Sequence, residues 1–348
     1  TEKFDETVVS KGFRDVNEKY PFCLESYKSD ENMQKAENLA KTADVMVYGS
    51  APIKFLKLRM SANKLCFKYS ERVFRAFTGG NPKNLKFMLW LFLTNTIYNQ
   101  KPLYLLATSA YAAGDFACVG AYKNKAFKWG YFPQGSSKSF GELLDLKKKN
   151  EKPIILWAAR MLPLKHGEMA IKTAEYLKNK GLSFTLKMVG DGEQETQLKQ
   201  MAKDKNLENC IEFLGSLPYD STINQMENAD IFIFSSDENE GWGAVVNESM
   251  SAACAVVACN SAGSVPFLIK DGENGFSYDF DDEKKLFSSC EKLINNSALR
   301  EKIAENAFKN INETWNGKTA AKNLVALSKA ILNKTEQDIV QIGPGSKC

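Results

Sequence analysis

Short apolar runs alternate with amphipathic stretches along the second half of the chain. Runs of four to six apolar residues bounded by turn residues are typical of buried parallel strands, and the stretches between them show helical spacing. Strands are predicted at 153–158, 184–189, 211–214, 231–234 and 255–258. Helices are predicted at 168–179, 193–204, 221–227 and from 244 to about 254. This alternation predicts an α/β architecture with a doubly wound parallel sheet.

The first half shows a weaker pattern, with strands predicted at 44–49 and 103–107 and helical patterns around each. A polar segment at 134–139, followed by a charged stretch, predicts a domain boundary. The chain of 348 residues is long enough for two domains. The predicted division is a first domain at 1–134, a linker at 135–152, a second domain at 153–317, and a last segment at 318–348. That last segment contains a helix that could cross back to the first domain.

Composition narrows the class of protein. Hydrophobic residues make up 44% and charged residues 25% of the chain, as in soluble globular proteins. The apolar run at 87–93 is far shorter than the ~18 residues that a bilayer crossing needs. The eight cysteines show no zinc spacing and are typical of free thiols, which predicts a reducing cytoplasm.

Charge is unevenly distributed between the two halves. Residues 1–150 carry 24 Lys and Arg against 14 Asp and Glu, a balance of +10, whereas the whole chain has a net charge of +4. A solvated basic surface would explain this excess, and so would an anionic partner, either a phosphorylated acceptor or the anionic lipid of the cytoplasmic leaflet. Nucleic acid is not expected, because no helix-turn-helix, RNA-binding or zinc-finger signature accompanies the basic residues.

The stretch 235–248 is the most informative chemical feature. It joins the predicted strand 231–234 to a helix through a turn that contains two glycines, and such turns present free backbone N–H groups where α/β sheets bind phosphorylated ligands. Glu240 and Glu248 bracket this anion seat. Carboxylates gain nothing from a diphosphate but accept hydrogen bonds from hydroxyls, so the arrangement favours a sugar nucleotide.

Two cations follow the first strand of the second domain. Arg160 offers a bidentate fork to a diphosphate and Lys165 offers a point charge, although both would also be ordinary as solvated loop residues. Three other patterns have simpler explanations. Gly190-Asp191-Gly192 lacks the third glycine of a dinucleotide fingerprint, Gly317-Lys318-Thr319 is predicted to start a helix, and Asp279–Asp282 is predicted to cap one. The lone histidine, His166, is predicted to be a loop residue.

Five motifs occur in order between about residues 153 and 280. They are Arg160 with Lys165, Val189–Glu193, Phe213–Gly215, Glu240 with Glu248, and Lys270–Gly275. Together they resemble the group 1 (family 4) retaining glycosyltransferases. The resemblance implies a GT-B fold, in which two Rossmann-like domains face each other. It also implies a nucleotide-sugar substrate (UDP-, GDP- or ADP-sugar), no cofactor and no metal site.

The resemblance also implies roles for particular residues. Arg160 and Lys165 would hold the donor diphosphate, Glu240 the donor-sugar hydroxyls and Glu248 the ribose, with Glu240, Arg160 and Lys165 as the catalytic set. Further donor contacts are expected at Gly241, Trp242, Gly243, Ala244, Gly190, Gly215, Ser216 and Leu217. On the acceptor side we expect Glu71, Arg72, Tyr111 and Lys123, for which packing at the domain interface is an equal alternative.

The predicted function is a retaining hexosyltransferase that builds a polysaccharide or glycolipid, located in the cytoplasm or on the inner face of the membrane. The family is thought to react on one face of the sugar, with the departing phosphate taking the acceptor's proton. A catalytically silent protein that binds sugar nucleotide or scaffolds a partner is the alternative, and an epimerase is a third. The polar opening at 1–7 further predicts that the first domain lacks the family's opening strand and Gly-rich loop.

Overall fold

The computed structural model describes residues 17, 20–75 and 79–348, and within them it forms two parallel sheets. The first sheet has four strands and the second has six. The predicted absence of an opening strand falls on residues 1–7, which lie outside the described part of the chain.

The first sheet consists of strands that lie side by side in chain order. They are β1 (Met46–Tyr48), β2 (Cys66–Ser70), β3 (Leu103–Ala107) and β4 (Ala126–Lys128). The helices are α1 (Asp30–Thr42), α2 (Ile53–Ser61), α3 (Leu85–Thr94) and α4 (Ala112–Ala117). Each connection moves one strand along in the same direction, so right-handed crossovers place α2, α3 and α4 on one face. Leu56, Leu91 and Phe116 of these helices pack there in one buried cluster.

The opposite face of this sheet is covered from the far end of the chain. Helix α13 (Gly317–Asn333) buries Leu327 and Ala330 in a cluster with Phe67 of β2 and Phe127 of β4. The tail then pairs with β4, where the Lys128 amide donates to the Ser346 carbonyl at 2.8 Å. The helix and the tail therefore complete the first domain, although they follow the second domain in sequence.

The second sheet is doubly wound, as predicted. Its strands are β5 (Ile154–Ala158), β6 (Thr185–Val189), β7 (Ile211–Gly215), β8 (Ile231–Phe234), β9 (Ala255–Cys259) and β10 (Phe276–Tyr278), in the order β10-β9-β8-β5-β6-β7. Five of these strands were predicted, and β10, with only three residues, was not. Strand order reverses between β5 and β8, and ligands of open α/β sheets bind in the crevice beyond the strand ends at such a point.

Nine helices accompany this sheet or follow it among residues 79–348. They are α5 (Phe140–Lys147), α6 (Gly167–Asn179), α7 (Glu195–Asp204), α8 (Tyr219–Asn228), α9 (Ala244–Ser251), α10 (Val265–Leu268), α11 (Glu283–Asn295), α12 (Ser297–Lys309) and α13. Gly317 is the first residue of α13 and Asp282 caps α11 by accepting from the Lys285 amide at 3.0 Å, so both helix-start interpretations are confirmed.

Helix α5 lies inside the stretch predicted to be a linker. A capping box between Ser139 and Glu142 starts it, and its Leu143 is buried against Ala253 and Ala304. A reciprocal cap of this kind satisfies two amides that would otherwise have no partner at a helix start. The charged stretch is therefore a helix that packs on the second domain, and the extended chain between the domains is confined to the residues before it.

Candidate functional site

The loops after β5 and β8 are tied together beyond the strand ends. Trp157 Nε1 donates to Ser235 Oγ at 3.0 Å, and that hydroxyl donates to the Lys165 carbonyl at 2.7 Å. The Asp237 amide donates to the Leu164 carbonyl at 3.0 Å. Ser235 is only 2% exposed, so these bonds are shielded from water. The two loops that carry the predicted catalytic residues thus share a fixed base at the reversal of strand order.

An ion pair joins two of the three predicted catalytic residues. Lys165 Nζ contacts Glu240 Oε2, and both side chains are about one-sixth exposed. Arg160 lies on the same loop as Lys165, is exposed, and makes no ion pair or side-chain hydrogen bond with the described residues. The edge thus presents a cation paired with a carboxylate, next to a second cation whose hydrogen-bond donors face solvent.

The path of the Arg160 loop depends on a close approach at Gly190. Gly190 has φ +126°, and a Cβ there would lie 1.9 Å from the Ala159 carbonyl oxygen. Its amide donates to the Gly215 carbonyl at 2.8 Å, which aligns the ends of β6 and β7 beside β5. Beyond Gly215, Ser216 is exposed and Leu217 is half-buried against the apolar cluster. Backbone contact therefore explains Gly190 without a ligand, whereas Gly215 has φ +68° and open space around a Cβ.

Gly190→Ala is expected to lower the free energy of unfolding by about 2–3 kcal/mol, because the methyl group overlaps a backbone oxygen in a conformation that favours glycine. Gly141→Ala is the matched control, since a Cβ at Gly141 in α5 meets nothing within 4 Å. The control should be neutral or stabilising by up to about 1 kcal/mol. Urea denaturation of both variants measures the difference, and equal midpoints would contradict the close-approach explanation.

Helix α9 begins at the end of the turn after β8. Gly243 is its N-cap with φ +86°, and no side chain caps the first turn, which Ala244 opens. Uncapped amides at a helix start leave hydrogen-bond donors free and carry the positive end of the helix dipole. Combined with Arg160 and Lys165, this start gives the edge a third source of positive potential.

Trp242 was predicted to contact the donor through the backbone amides around Gly241 to Gly243, and the structure buries its side chain. The indole is 1% exposed, its Nε1 donates to Asn247 Oδ1 at 2.8 Å, and its ring lies near those of Tyr131 and Trp315. A Cβ at Gly130 would lie 2.5 Å from the indole. Trp242 therefore packs in the core and against the first domain, and its ring does not reach the edge that holds Lys165 and Glu240.

Glu248 lies half-buried on α9, near Tyr219 of α8. Burial raises the pKa of Glu248 to about 6, and a hydrogen bond from the Tyr219 hydroxyl opposes that rise. The carboxylate is therefore charged at neutral pH and becomes protonated in mildly acidic solution. It lies one helical turn beyond the α9 start, whereas Glu240 precedes that start in the chain.

His166 is the residue whose role was missed from sequence. It has φ +49°, and its ring bridges two carboxylates, with Nε2 3.1 Å from Asp237 Oδ2 and Nδ1 2.8 Å from Glu168 Oε1. Hydrogen bonds to Asp237 and Glu168 raise the pKa of His166 to about 9, while burial opposes them. The ring is thus an imidazolium at neutral pH and a further cation beside Lys165. Asp237 lies 71 residues away, so no local pattern could show this contact.

The titration of His166 can be followed directly, because the chain contains one histidine. In the untagged protein, the NMR shifts of the ring should move with a midpoint near the pKa of about 9, far above the unfolded value of about 6.5. Stabilisation by the charged ring is complete below pH 6.5 and is lost as the pH rises through 9. Asp237→Asn should lower the midpoint. A wild-type midpoint near 6.5 would contradict the bridged arrangement.

The first domain touches the turn after β8 at Gly241. Arg75 and Glu71 form an ion pair of 2.6 Å, and a Cβ at Gly241 would lie 2.4 Å from atoms of both side chains. Arg72 lies over the Tyr111 ring at 5.0 Å, and the Tyr111 hydroxyl donates to the Asn260 carbonyl of the second domain. Glu71 and Tyr111 therefore contact the second domain, whereas Arg72 contacts Tyr111 and pairs with Asp115 of the first domain at 3.6 Å.

Lys123, the fourth of these residues, is not brought to the group. It lies in the turn that precedes β4, at the amino ends of the parallel strands, whereas Glu71 follows the carboxyl end of β2. Arg75 was not predicted, and residues 71–75 are not helical, so no helical spacing marks the pair with Glu71 in the sequence. Arg75, and not Lys123, therefore belongs to the set of residues that faces the turn after β8.

A basic cavity of about 420 Å³ opens beside this set, between the ends of β1 and β2 and helix α3. Its wall includes Lys68, Glu71, Arg72, Arg75 and Trp90. Burial lowers the pKa of Lys68 to about 8, and its ammonium donates to Asn95 Oδ1 at 2.6 Å. Arg72 Nε is buried and has no hydrogen-bond partner. The cavity therefore suits a ligand with an anionic group.

No group of three or more His, Cys, Asp or Glu side chains is placed to bind a metal ion in residues 17, 20–75 and 79–348.

The second domain is similar in sequence to known proteins. Residues 144–310 match the family model "Glycosyl transferases group 1". An uncharacterised glycosyltransferase of Haemophilus influenzae is 28% identical over 178 residues, 49% of each chain. The amylovoran biosynthesis glycosyltransferase AmsK of Erwinia amylovora is 31% identical over 127 residues, which are 35% of this chain and 31% of AmsK. The chain thus matches half or less of the length of these two curated relatives.

The structure as a whole also resembles solved structures. The crystal structure of Anabaena HepE in complex with UDP superposes with a TM-score of 0.64 and 18% identity, covering 88% of this chain and 82% of HepE. At this level of identity the likeness concerns the fold. The fold is GT-B, with two Rossmann-like α/β domains built on parallel sheets, as the ordered motifs predicted.

Proposed function

We propose that this chain is a retaining glycosyltransferase that moves a sugar from a nucleotide-diphosphate sugar to a polysaccharide or glycolipid acceptor without a metal ion. The observation that carries the proposal is the Lys165–Glu240 ion pair at the reversal of strand order, beside Arg160 and the uncapped start of α9. Cations bind a diphosphate and a carboxylate accepts hydrogen bonds from sugar hydroxyls. At this edge the two kinds of group are in direct contact.

The donor would lie along the carboxyl edge of the second sheet. Its diphosphate would face Arg160, Lys165 and the first amides of α9, as anions do at helix starts. Its sugar would face Glu240, towards the first domain, and its ribose would face Glu248. Because the ammonium of Lys165 already neutralises Glu240, binding of the diphosphate would redistribute an existing ion pair and would not bury a bare charge.

The proposed reaction retains the configuration of the anomeric carbon. The bond between the anomeric carbon and the phosphate oxygen breaks, and a bond from the acceptor oxygen forms on the same face of the sugar. The acceptor's proton passes to the departing phosphate oxygen. Arg160, Lys165 and the α9 amides stabilise the negative charge that collects on the diphosphate. Fixed electrostatic stabilisation of this kind makes the largest contribution to the rate enhancement of many enzymes.

The relatives support particular substrates. HepE was crystallised with UDP, which makes a uridine nucleotide the first donor to test. AmsK is named for the biosynthesis of amylovoran, which supports a glycan acceptor. The basic cavity between β2 and α3 supports an acceptor with an anionic group.

The proposal is tested by a thermal-shift screen of UDP, GDP, ADP and their sugar conjugates in the presence of EDTA. A ligand at a hundred times its dissociation constant should raise the apparent stability by about 2.7 kcal/mol. NMR of the product formed from the donor that binds should show the same anomeric configuration as that donor. Absence of a shift with every nucleotide would overturn the proposal, and an inverted anomer would overturn its retaining mechanism.

A further inference from the structure

Helix α3 of the first domain is apolar on its solvent side. Of its ten residues, Leu91 is the one that is fully buried, while Leu85 is 82%, Leu89 54%, Trp90 52% and Leu93 50% exposed. A helix that is hydrophobic all round normally lies inside a protein or in a membrane. Residues 85–97 supply six of the eighteen exposed large hydrophobic side chains among the described residues, so this surface is a concentrated apolar patch.

Exposed lysines adjoin the patch. Residues 72–114 contain five Lys and Arg and no Asp or Glu, and of these five Arg72 and Arg75 pair with Asp115 and Glu71 just outside the range. Lys83 and Lys86 are exposed at the start of α3 itself. Trp and Leu on an exposed helix face suit the interface of a bilayer, and exposed lysines beside that face favour anionic headgroups.

The length of α3 excludes a crossing. Ten residues of α-helix extend about 15 Å, half the thickness of the hydrocarbon core. No helix among the described residues is long and apolar enough to span a membrane. Contact with lipid through α3 would therefore be contact in the plane of the surface.

We propose that the exposed face of α3 docks on an anionic lipid bilayer, with Leu85, Leu89, Trp90 and Leu93 in the interface and Lys83 and Lys86 on the headgroups. We favour lipid over a second copy of the chain. A second copy would place its own basic residues near Lys83 and Lys86, whereas an anionic surface complements the charge of these lysines.

The patch is continuous with the candidate site, and this identifies a class of acceptor. Phe87 and Trp90 of α3 line the basic cavity, whose wall also includes Arg72 and Arg75. Arg75 in turn lies against Gly241 in the turn after β8. A lipid whose headgroup carries a phosphate and a sugar could thus remain in the bilayer while its phosphate enters the cavity. This step rests on the proposed glycosyltransferase function; the docking of α3 does not.

Docking is tested first, without donor or acceptor, by co-sedimentation with vesicles of phosphatidylcholine alone or mixed with phosphatidylglycerol. The wild type should bind the mixed vesicles, and added salt should weaken binding. Leu89→Gln with Leu93→Gln should weaken it about tenfold or more. Val325→Gln with Leu332→Gln is the matched control, because these α13 side chains are 56% and 54% exposed and lie outside the patch. Equal binding by both double variants would overturn the proposal.

The charge contribution has its own variant. Lys83→Gln with Lys86→Gln should weaken binding to phosphatidylglycerol vesicles about tenfold or more, because each lysine near such a surface contributes to the attraction. Sedimentation velocity of the wild type and of Leu89→Gln with Leu93→Gln tests the alternative occupant. A dimer lost in the variant, with unchanged vesicle binding, would assign the patch to a second copy and overturn docking on lipid.

Tryptophan emission places the contact on α3. Trp90 is 52% exposed, whereas the other four tryptophans are at most 9% exposed. Vesicles with brominated acyl chains should quench the wild type and should quench Trp90→Phe much less, although that variant still sediments with vesicles. Unquenched emission from wild type that is bound to vesicles would overturn the orientation. Lipid binding without any nucleotide shift would instead disprove the transferase function and leave the docking intact.

Discussion

Glu240→Gln is expected to lower sugar transfer by about 10²–10³-fold, the loss that removal of one preorganised group at a reacting centre causes in other enzymes. The substitution keeps the shape of the side chain but removes its charge, so Lys165 loses its partner and a donor hydroxyl loses a strong acceptor. The free energy of unfolding should change by less than about 1 kcal/mol, because the side chain faces the cleft and not the core. Initial rates at saturating donor measure the effect.

A matched control lies two residues earlier in the same turn. Glu238 is exposed and makes no side-chain hydrogen bond or ion pair with the described residues, so Glu238→Gln should transfer sugar at the wild-type rate. It changes the net charge by the same amount as Glu240→Gln. If Glu240→Gln retained more than a tenth of the wild-type rate, Glu240 would not contact the reacting sugar.

Arg160→Ala should weaken binding of the nucleotide diphosphate by about 10²–10³-fold, because a bidentate charge-assisted contact is lost. The melting temperature without ligand should stay unchanged, since Arg160 is exposed and makes no ion pair with the described residues. Arg160→Lys should recover only part of the affinity, since it restores the charge but not the fork. Titration calorimetry with the nucleotide that stabilises the wild type measures these differences.

Lys149→Ala removes an exposed cation of the same domain that lies before β5, and it should bind the nucleotide like the wild type. A loss of affinity in both variants would assign the effect to general electrostatics. An unchanged affinity in Arg160→Ala would place the diphosphate elsewhere.

The second sheet could be predicted from sequence because its strands are buried on both faces. Continuous apolar runs such as 231–234 therefore mark it directly. The first sheet carries less signal. Strand β2 places Lys68 and Tyr69 in a half-buried position beside the cavity, and β4 has three residues, so neither has the apolar run that marks a buried strand.

Some contacts of the candidate site could likewise be predicted from sequence, and others could not. Lys165 and Glu240 could be predicted as neighbours because both follow strands that flank one reversal of strand order. The bridge from His166 to Asp237 and the contact of Glu71 and Arg75 with Gly241 depend on how separate segments meet, which local patterns do not show. Trp242 illustrates the limit for aromatic residues, because a tryptophan between two glycines suits a ligand contact and a packed core equally well.

The order of elements along the chain also affects how the first domain is made. Phe67, Leu106 and Phe127 are covered by α13, which lies some two hundred residues beyond β4. A ribosome would release the whole first sheet long before this cover, and uncovered apolar strand faces favour aggregation. Maturation of the first domain must therefore wait until α13 has been made.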